Sequence, residues 1–407
     1  MTLILSGTLG VSPVTPSGTS ALVDGMTVGR GAGEVATNTA VGASALAANT
    51  TGGNNTSLGY QSLFSNTTNT GSTAFGSQAG YSSTVVVDAF GYQALYANTV
   101  GLRNVAFGIY SLSGNTTGNS NNAFGRASLG SNTTGSNNTA FGDVALASNT
   151  TASNNTAVGY QAAYSNTTGG TGTAVGYKAG YSNQTGSNNT FLGSFAGYLA
   201  TDRYNTFVGG NAGYNSTGAY NTFVGAISSG GYGCAELMTT GSYNTILGAF
   251  NGNQGGLDIR TLNYWIVLSS GDGSPKVWYN GTNNYFYVPV AYAQTTAAAA
   301  NLVVGSDGSF QRSTSALKYK QDIRDLEEID INLLRPVRYK SNCGMDDQTK
   351  DHFGVVADEA DAAGLKELVN YGADGEVEGF QYERLTVVLL KKLQMLEAEV
   401  KALKGQA

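Results

Sequence analysis

A glycine recurs within the motif Asn-Thr-Ala-Val-Gly and its variants at Gly42, Gly59, Gly76, Gly91, Gly108, Gly125, Gly142, Gly159, Gly176, Gly193, Gly209, Gly225 and Gly248. Most intervals are 17 residues; two are 16, one is 15 and the last is 23. Such a period constrains the fold more than any other feature. Each repeat is one supersecondary unit that cannot bury its apolar face alone, so neighbours must stack. Seventeen residues are too few for a helix pair, and the columns show no 3.6-residue period. They suit one coil of two short strands and two turns, repeated as a β-solenoid.

The columns around the glycine define roles. Immediately before it stands Val41, Leu58, Phe75, Phe90, Phe107, Phe124, Phe141, Val158, Val175, Leu192, Val208, Val224 or Leu247. This column is expected to form the buried core. Four places before the glycine, Asn38, Asn55, Asn104, Asn138, Asn155, Asn189 and Asn205 predict a ladder of amide hydrogen bonds. Three places after it the residue is small: Ala45, Ser62, Ala79, Ala94, Ser111, Ala145, Ala162, Ala179, Ala196. A coil this thin buries little surface alone, so three chains are expected to associate with the small column facing the partners. Tyr60, Tyr92, Tyr160, Tyr177, Tyr181, Tyr198 and Tyr214 are read as exposed on the shaft or packed between chains.

Composition divides the chain. Residues 1–312 carry 8 Lys+Arg and 9 Asp+Glu, whereas residues 315–407 carry 13 and 18. The net charge of −6 and the lack of a basic cluster argue against nucleic acid as a partner. With 41 % apolar residues, 24 Tyr and 15 Phe, the chain is expected to fold despite 57 Gly. Cys234, Cys343 and a single His352 supply neither a disulfide framework nor a metal site, and no cofactor or metal is expected. No run of eighteen apolar residues is present, so no membrane insertion is expected. The start, Met1 to Ser6, lacks the basic region and apolar core of a signal peptide, which suggests synthesis in the cytoplasm.

Four segments follow. Residues 1–37 read as an N-terminal attachment or capping segment, and 38–250 as the repeat shaft. Residues 251–312 form an aromatic distal region and linker. In it Asn263 to Leu268 reads as a buried strand and Gly271 to Pro275 as a turn. Tyr264, Trp265, Trp278 and Tyr279 are the candidates there for receptor contact, against the alternative of an aromatic core ending the shaft. Residues 313–407 form a charged domain whose last helix carries Leu389, Leu393, Leu396, Val400 and Leu403 at heptad spacing.

Two resemblances add to this. The repeat resembles the β-roll heads of trimeric autotransporter adhesins and the glycine-rich shafts of phage tail fibres. The segment from Ser315 onward resembles the endosialidase-type intramolecular chaperone domain of phage tailspikes and tail fibres, a self-cleaving serine peptidase with a Ser–Lys dyad. The matching residues are Ser315-Ala316-Leu317-Lys318-Tyr319-Lys320-Gln321-Asp322-Ile323, Leu333 to Tyr339, His352 to Glu359, and Tyr382-Glu383-Arg384-Leu385. The resemblance implies Ser315 as nucleophile, Lys320 as general base and Thr314–Ser315 as the severed bond, with His352 in a supporting role. A lysine amine can accept a proton only when neutral, so Lys320 would need burial or neighbouring cations. Taken without the neighbouring blocks, Ser313 or Ser315 is a helix N-cap and Lys320 a solvated side chain.

The fold expected is mainly β: a trimeric β-solenoid or β-roll shaft of 17-residue repeats, followed by a small α+β chaperone domain ending in a coiled-coil helix. The function the resemblance implies is that of a virion tail fibre, homotrimeric, made in the host cytoplasm. It would bind a cell-surface glycan or other receptor and join the phage tail or baseplate through its N-terminus. The alternatives are a cell-surface trimeric adhesin with an uncleaved C-terminal trimerisation domain and a glycan-degrading tailspike. Against the latter, no paired-carboxylate pattern stands out in residues 38–312.

Overall fold

The computed structural model describes residues 21–23, 26–288, 302–304, 310–312, 321–342, 348–372 and 375–405. The chain divides into two compact units, Met1–Gln294 and Thr295–Ala407.

The first unit is a β-solenoid of about 14 turns at 17-residue spacing. Each turn contributes a short strand, such as Val105–Phe107, Asn122–Phe124 and Thr139–Phe141, and each pairs parallel and in register with the next. Coil-to-coil hydrogen bonds continue past the strands. Gly125 N–H donates to Phe107 O (2.8 Å), Leu112 N–H to Ser128 O (3.0 Å) and Thr116 N–H to Thr133 O (2.9 Å). Backbone donors all round the coil are thereby satisfied by the neighbouring coil.

The recurring glycine has two physical causes. At Gly108 φ is +143°, and a Cβ there would collide with the carbonyl oxygen of Gly125 one coil on. Only a residue without a side chain allows both the dihedral and the approach. Two and four residues later the chain enters the left-handed region again, as at Tyr110 (φ 59°) and Leu112 (φ 48°).

The interior corrects two expectations. The apolar column before the glycine is not the core; it lies on the outside of the coil, with Phe75 53 %, Phe107 55 % and Phe141 58 % exposed. Strand alternation is the reason. The Asn four places before the glycine and the residue two places before it, Ala106, Ala123 or Ala140, point inward and are fully enclosed. Thr and Phe therefore point out. The small column also faces inward: Ala45, Ala79, Ala94 and Ala145 are buried within their own coil, so they cannot meet a partner chain. Leu46, Leu63, Leu95, Leu112, Leu129 and Leu146, one residue further on, fill the rest.

Farther along, the filling changes. Phe191, Phe207 and Phe223 take the mid-strand place held earlier by Ala, and Gly180, Gly197 and Gly213 take the Leu place. A Cβ on Gly180 would lie 2.6 Å from the Phe191 ring, and one on Gly213 2.6 Å from Phe207. Volume removed from one wall is returned by the other, as close packing requires.

Buried amides hold the turns. Asn138 N–H donates to Asn121 Oδ1 (3.0 Å), and Asn138 Nδ2 donates to Ala152 O (2.8 Å). The continuous amide-to-amide ladder runs in a second column, seven places after the glycine. Asn115 donates to Asn98 (2.8 Å), Asn132 to Asn115 (2.7 Å), Asn149 to Asn132 (2.7 Å) and Asn166 to Asn149 (2.8 Å).

Antiparallel strands close both ends. Met26–Gly29 pairs with Thr39–Gly42 and with Ala21–Val23. At the other end Trp265–Ser269 adds one parallel rung to Thr245–Leu247, then turns back through Pro275–Asn280 and Tyr285–Tyr287. Residues 265–269 alternate, with Trp265 and Val267 buried and Ile266 and Leu268 exposed. The expected fully buried strand is therefore half-buried.

In the second unit, Pro336–Tyr339 pairs antiparallel with His352–Val355, and Val369–Tyr371 with Val377–Phe380. Helix α1 is Ala357–Ala362 and helix α2 is Tyr382–Gly405. The core is small: Ala360, Leu365, Leu368, Val369 and Val388, flanked by Ile331, Leu334, Phe380 and Leu385. On α2, Leu389, Leu393, Leu396, Val400 and Leu403 are all exposed.

Candidate functional site

Thr314, Ser315 and Lys320 lie outside the described residues. The other blocks of the C-terminal segment are brought into one body. Strand pairing sets Tyr339 opposite His352 and Pro336 opposite Val355. Arg335 Nε donates to Glu359 Oε2 (3.0 Å), joining the block from Leu333 to Tyr339 to α1. That contact lowers the carboxyl pKa of Glu359 and raises the pKa of Arg335, the side-chain hydrogen bond being the main cause of each. Both groups are solvent-exposed, so the pair is a positional clamp of small energetic weight. Val355 N–H donates to the Tyr382 hydroxyl (2.9 Å), which ties the start of α2 to this sheet, and Arg384 donates to Glu367 O (2.9 Å) in the turn Lys366–Leu368.

His352 lies half-buried in this sheet, its ring stacked on Tyr339 at 5.6 Å between centroids. Its Nε2 is enclosed and has no hydrogen-bond partner among the described residues. Beside it, the Arg338 guanidinium lies 4.8 Å over the exposed Phe353 ring and bonds Asp351 (3.1 Å). Elsewhere in the unit, a hydrogen bond with Asp361 pushes the Tyr371 phenol up to about 12.

The four distal aromatics do not form one surface. Trp265 is only 7 % exposed and cannot contact a receptor, because strand alternation turns it into the solenoid interior. Trp278 packs half-buried against that same core and stacks on Tyr287 at 5.5 Å. Tyr264 is exposed but belongs to a different column, stacked on Tyr243 at 5.0 Å. Tyr279 lies on the outer face, its hydroxyl bonded to Asn284 (2.6 Å). There it joins Ile266, Leu268, Val277, Trp278 and Phe286 around a shallow apolar depression of about 330 Å³, so two of the four candidates meet at one place. Ile266 and Leu268 were invisible to a search for aromatic contacts; the alternation of residues 265–269 is the signal that finds them.

Along the shaft, Tyr60, Tyr92, Tyr160 and Tyr177 are exposed, and Tyr164, Tyr181, Tyr198 and Tyr214 stack in a half-buried file at 4.8–5.3 Å. Rings so stacked cover one another's faces, which leaves mainly edges for a ligand. Among the described residues no three His, Cys, Asp or Glu side chains converge as a metal site, and no helix is long and apolar enough to cross a membrane.

Comparisons with family models, with curated proteins and with solved structures each return no match.

Proposed function

We propose that this chain is a phage tail-fibre protein, homotrimeric, whose C-terminal segment brings three chains together and then severs itself at Thr314–Ser315. The observation that carries the reading is the joining of two unlike parts. A solenoid of about 14 near-identical turns precedes a separate unit whose last helix exposes its apolar heptad positions. Stacked turns alone offer many near-equivalent alignments between chains. A helix of this kind buries its seam only against other helices, so it can bring three chain ends into step before the shafts zip.

In the proposed reaction Lys320, neutral, takes the proton of the Ser315 hydroxyl. The Ser315 oxygen attacks the Thr314 carbonyl carbon, and the Thr314–Ser315 C–N bond breaks as the Ser315 nitrogen is protonated. Water then hydrolyses the resulting ester, leaving a Thr314 carboxylate and a Ser315 amine. His352, whose Nε2 has no hydrogen-bond partner among the described residues, is a candidate for orienting a group in that site. The shaft left behind would keep its form kinetically, since its assembling part has gone. Receptor contact falls to the solenoid's outer surface, and virion attachment to its N-terminal end.

The mass of the denatured, purified protein tests this. Cleavage predicts a fragment of residues 315–407, which is 93 residues, separating from a 314-residue shaft. Ser315→Ala and Lys320→Ala should each give the intact 407-residue chain. Persistent cleavage in Ser315→Ala would reject the dyad.

A further inference from the structure

The column expected to be the core is instead a continuous apolar stripe on the outside of the solenoid, and it has a pattern of its own. Five successive rungs carry phenylalanine: Phe75, Phe90, Phe107, Phe124 and Phe141. On one side of them the column reads Val41 and Leu58, on the other Val158 and Val175. From Phe90 to Phe141 the rings stack on one another at 5.5, 6.3 and 5.6 Å. Beyond the aliphatic rungs, Leu192, Leu247 and Leu268 keep the stripe exposed and lead it into the apolar depression at the distal cap. No member of the column is charged. Beside it, Arg126 and Asp143 pair along the axis at 3.0 Å, a polar flank to an apolar strip.

We propose that this stripe is a self-recognition surface that packs against the same stripe of parallel copies of this chain, and that the five-phenylalanine block fixes their axial register. The inference rests on the homotrimer reading above. Three observations favour a second copy over another partner. The stripe repeats at the pitch of the fold itself, roughly 4.8 Å per rung, and another copy presents the same pitch along the same length. Its area is sufficient. Fourteen large apolar side chains, six of them 41–58 % exposed and the other eight partly buried, together with the cap, offer on the order of 1,000 Å² per chain, against about 800 Å² per partner in a standard interface. An apolar patch of that size on a single chain marks an interaction site. Finally, the block is aperiodic within a periodic fold. A slip of one rung sets one phenylalanine against an aliphatic residue at each end, so only the in-register pairing keeps all five rings among rings. The small residues are enclosed in each coil, and register cannot come from them.

Single cysteines in the full chain test this, in a Cys343→Ser background, since the remaining Cys234 is fully buried. Phe107→Cys, treated with a short bis-maleimide, should give linked chains. Thr117→Cys, exposed in the turn of the same coil, should not. Co-assembled Phe107→Cys and Phe124→Cys chains should give roughly tenfold more same-position than 107–124 products, as expected when a slip forfeits aromatic pairing. Replacing Phe75, Phe90, Phe107, Phe124 and Phe141 by Val should abolish register preference, read at Val158→Cys and Val175→Cys, while circular dichroism reports an unchanged solenoid. Oligomeric chains that link at Thr117 and not at Phe107 would overturn the stripe as the seam. Equal same-position and 107–124 yields would overturn the register claim. Monomeric protein by sedimentation would overturn the homotrimer reading itself, whether or not the chain is cleaved.

Discussion

The solenoid and the C-terminal unit stand at opposite ends of self-sufficiency. In the solenoid each coil bonds its backbone to the next, and Ala, Leu and Asn columns close an interior within one chain. In the C-terminal unit five buried residues, among those described, underlie two of the three antiparallel strand pairs and a 24-residue helix, most of whose apolar positions face outward; Leu393 is 62 % exposed. The difference shows where apolar surface is left uncovered within one chain. A repeated coil always has a neighbour to cover it, so only its outer stripe is left over. A single helix has no such neighbour, and on the homotrimer proposal its seam is what another copy would cover.

The comparison breaks most severely if the coils cannot approach. Gly125→Ala places a methyl group against the Gly142 carbonyl at φ +129°. Strain and overpacking together should cost roughly 3 kcal/mol or more. Guanidinium unfolding and proteolysis should show the solenoid opening near that rung while the C-terminal unit stays folded. Loss of both together would mean that the two parts are not independent.

A smaller and more diagnostic effect concerns the two ways of filling the interior. Phe191→Ala should cost about 3–5 kcal/mol by leaving a cavity. Gly197→Leu should cost about 1–3 kcal/mol by overpacking, since a Cβ there already meets the Phe191 ring. The pair together restores the Ala-and-Leu filling of the earlier rungs and should be less damaging than the sum by about 1–2 kcal/mol. Strict additivity in a double-mutant cycle would show that the exchange along the shaft is not compensatory.

The smallest effect on folding sharpens the comparison from the other side. Leu393→Asp lies on the exposed seam of α2, so the fold of one unit should change by less than about 0.5 kcal/mol. Sedimentation of the full chain should nevertheless show weaker association. A large loss of helical signal in dilute monomer would instead mean that Leu393 supports the unit internally.

Much of the first unit was legible because a repeat multiplies weak signals. One Asn-Thr-Ala-Val-Gly is only a short strand ending in glycine; thirteen variants of it at near-constant spacing define a ladder, its length and its in-register pairing. The distal turn could be read from Gly271 to Pro275 by its composition. Which wall of the strand faces inward was not legible by size. Phe107 is the larger residue, and Ala106 is the one enclosed. The catalytic residues inferred from the block around Ser315 lie outside the described residues, whereas the neighbouring blocks converge through Arg335, Glu359, Val355 and Tyr382.

The sequence by itself determined the period, and with it the solenoid, because hydrogen bonding between coils demands the same length of chain each time. It also determined the last helix, whose apolar residues step by 4 and 3. Only the tertiary structure decided what lies inside. A coil of this girth holds Ala opposite Leu, or Phe opposite Gly, and has no room for a phenylalanine beside a leucine. The larger column is thereby forced to the surface, where, on the proposal above, it serves as a means of contact rather than a core.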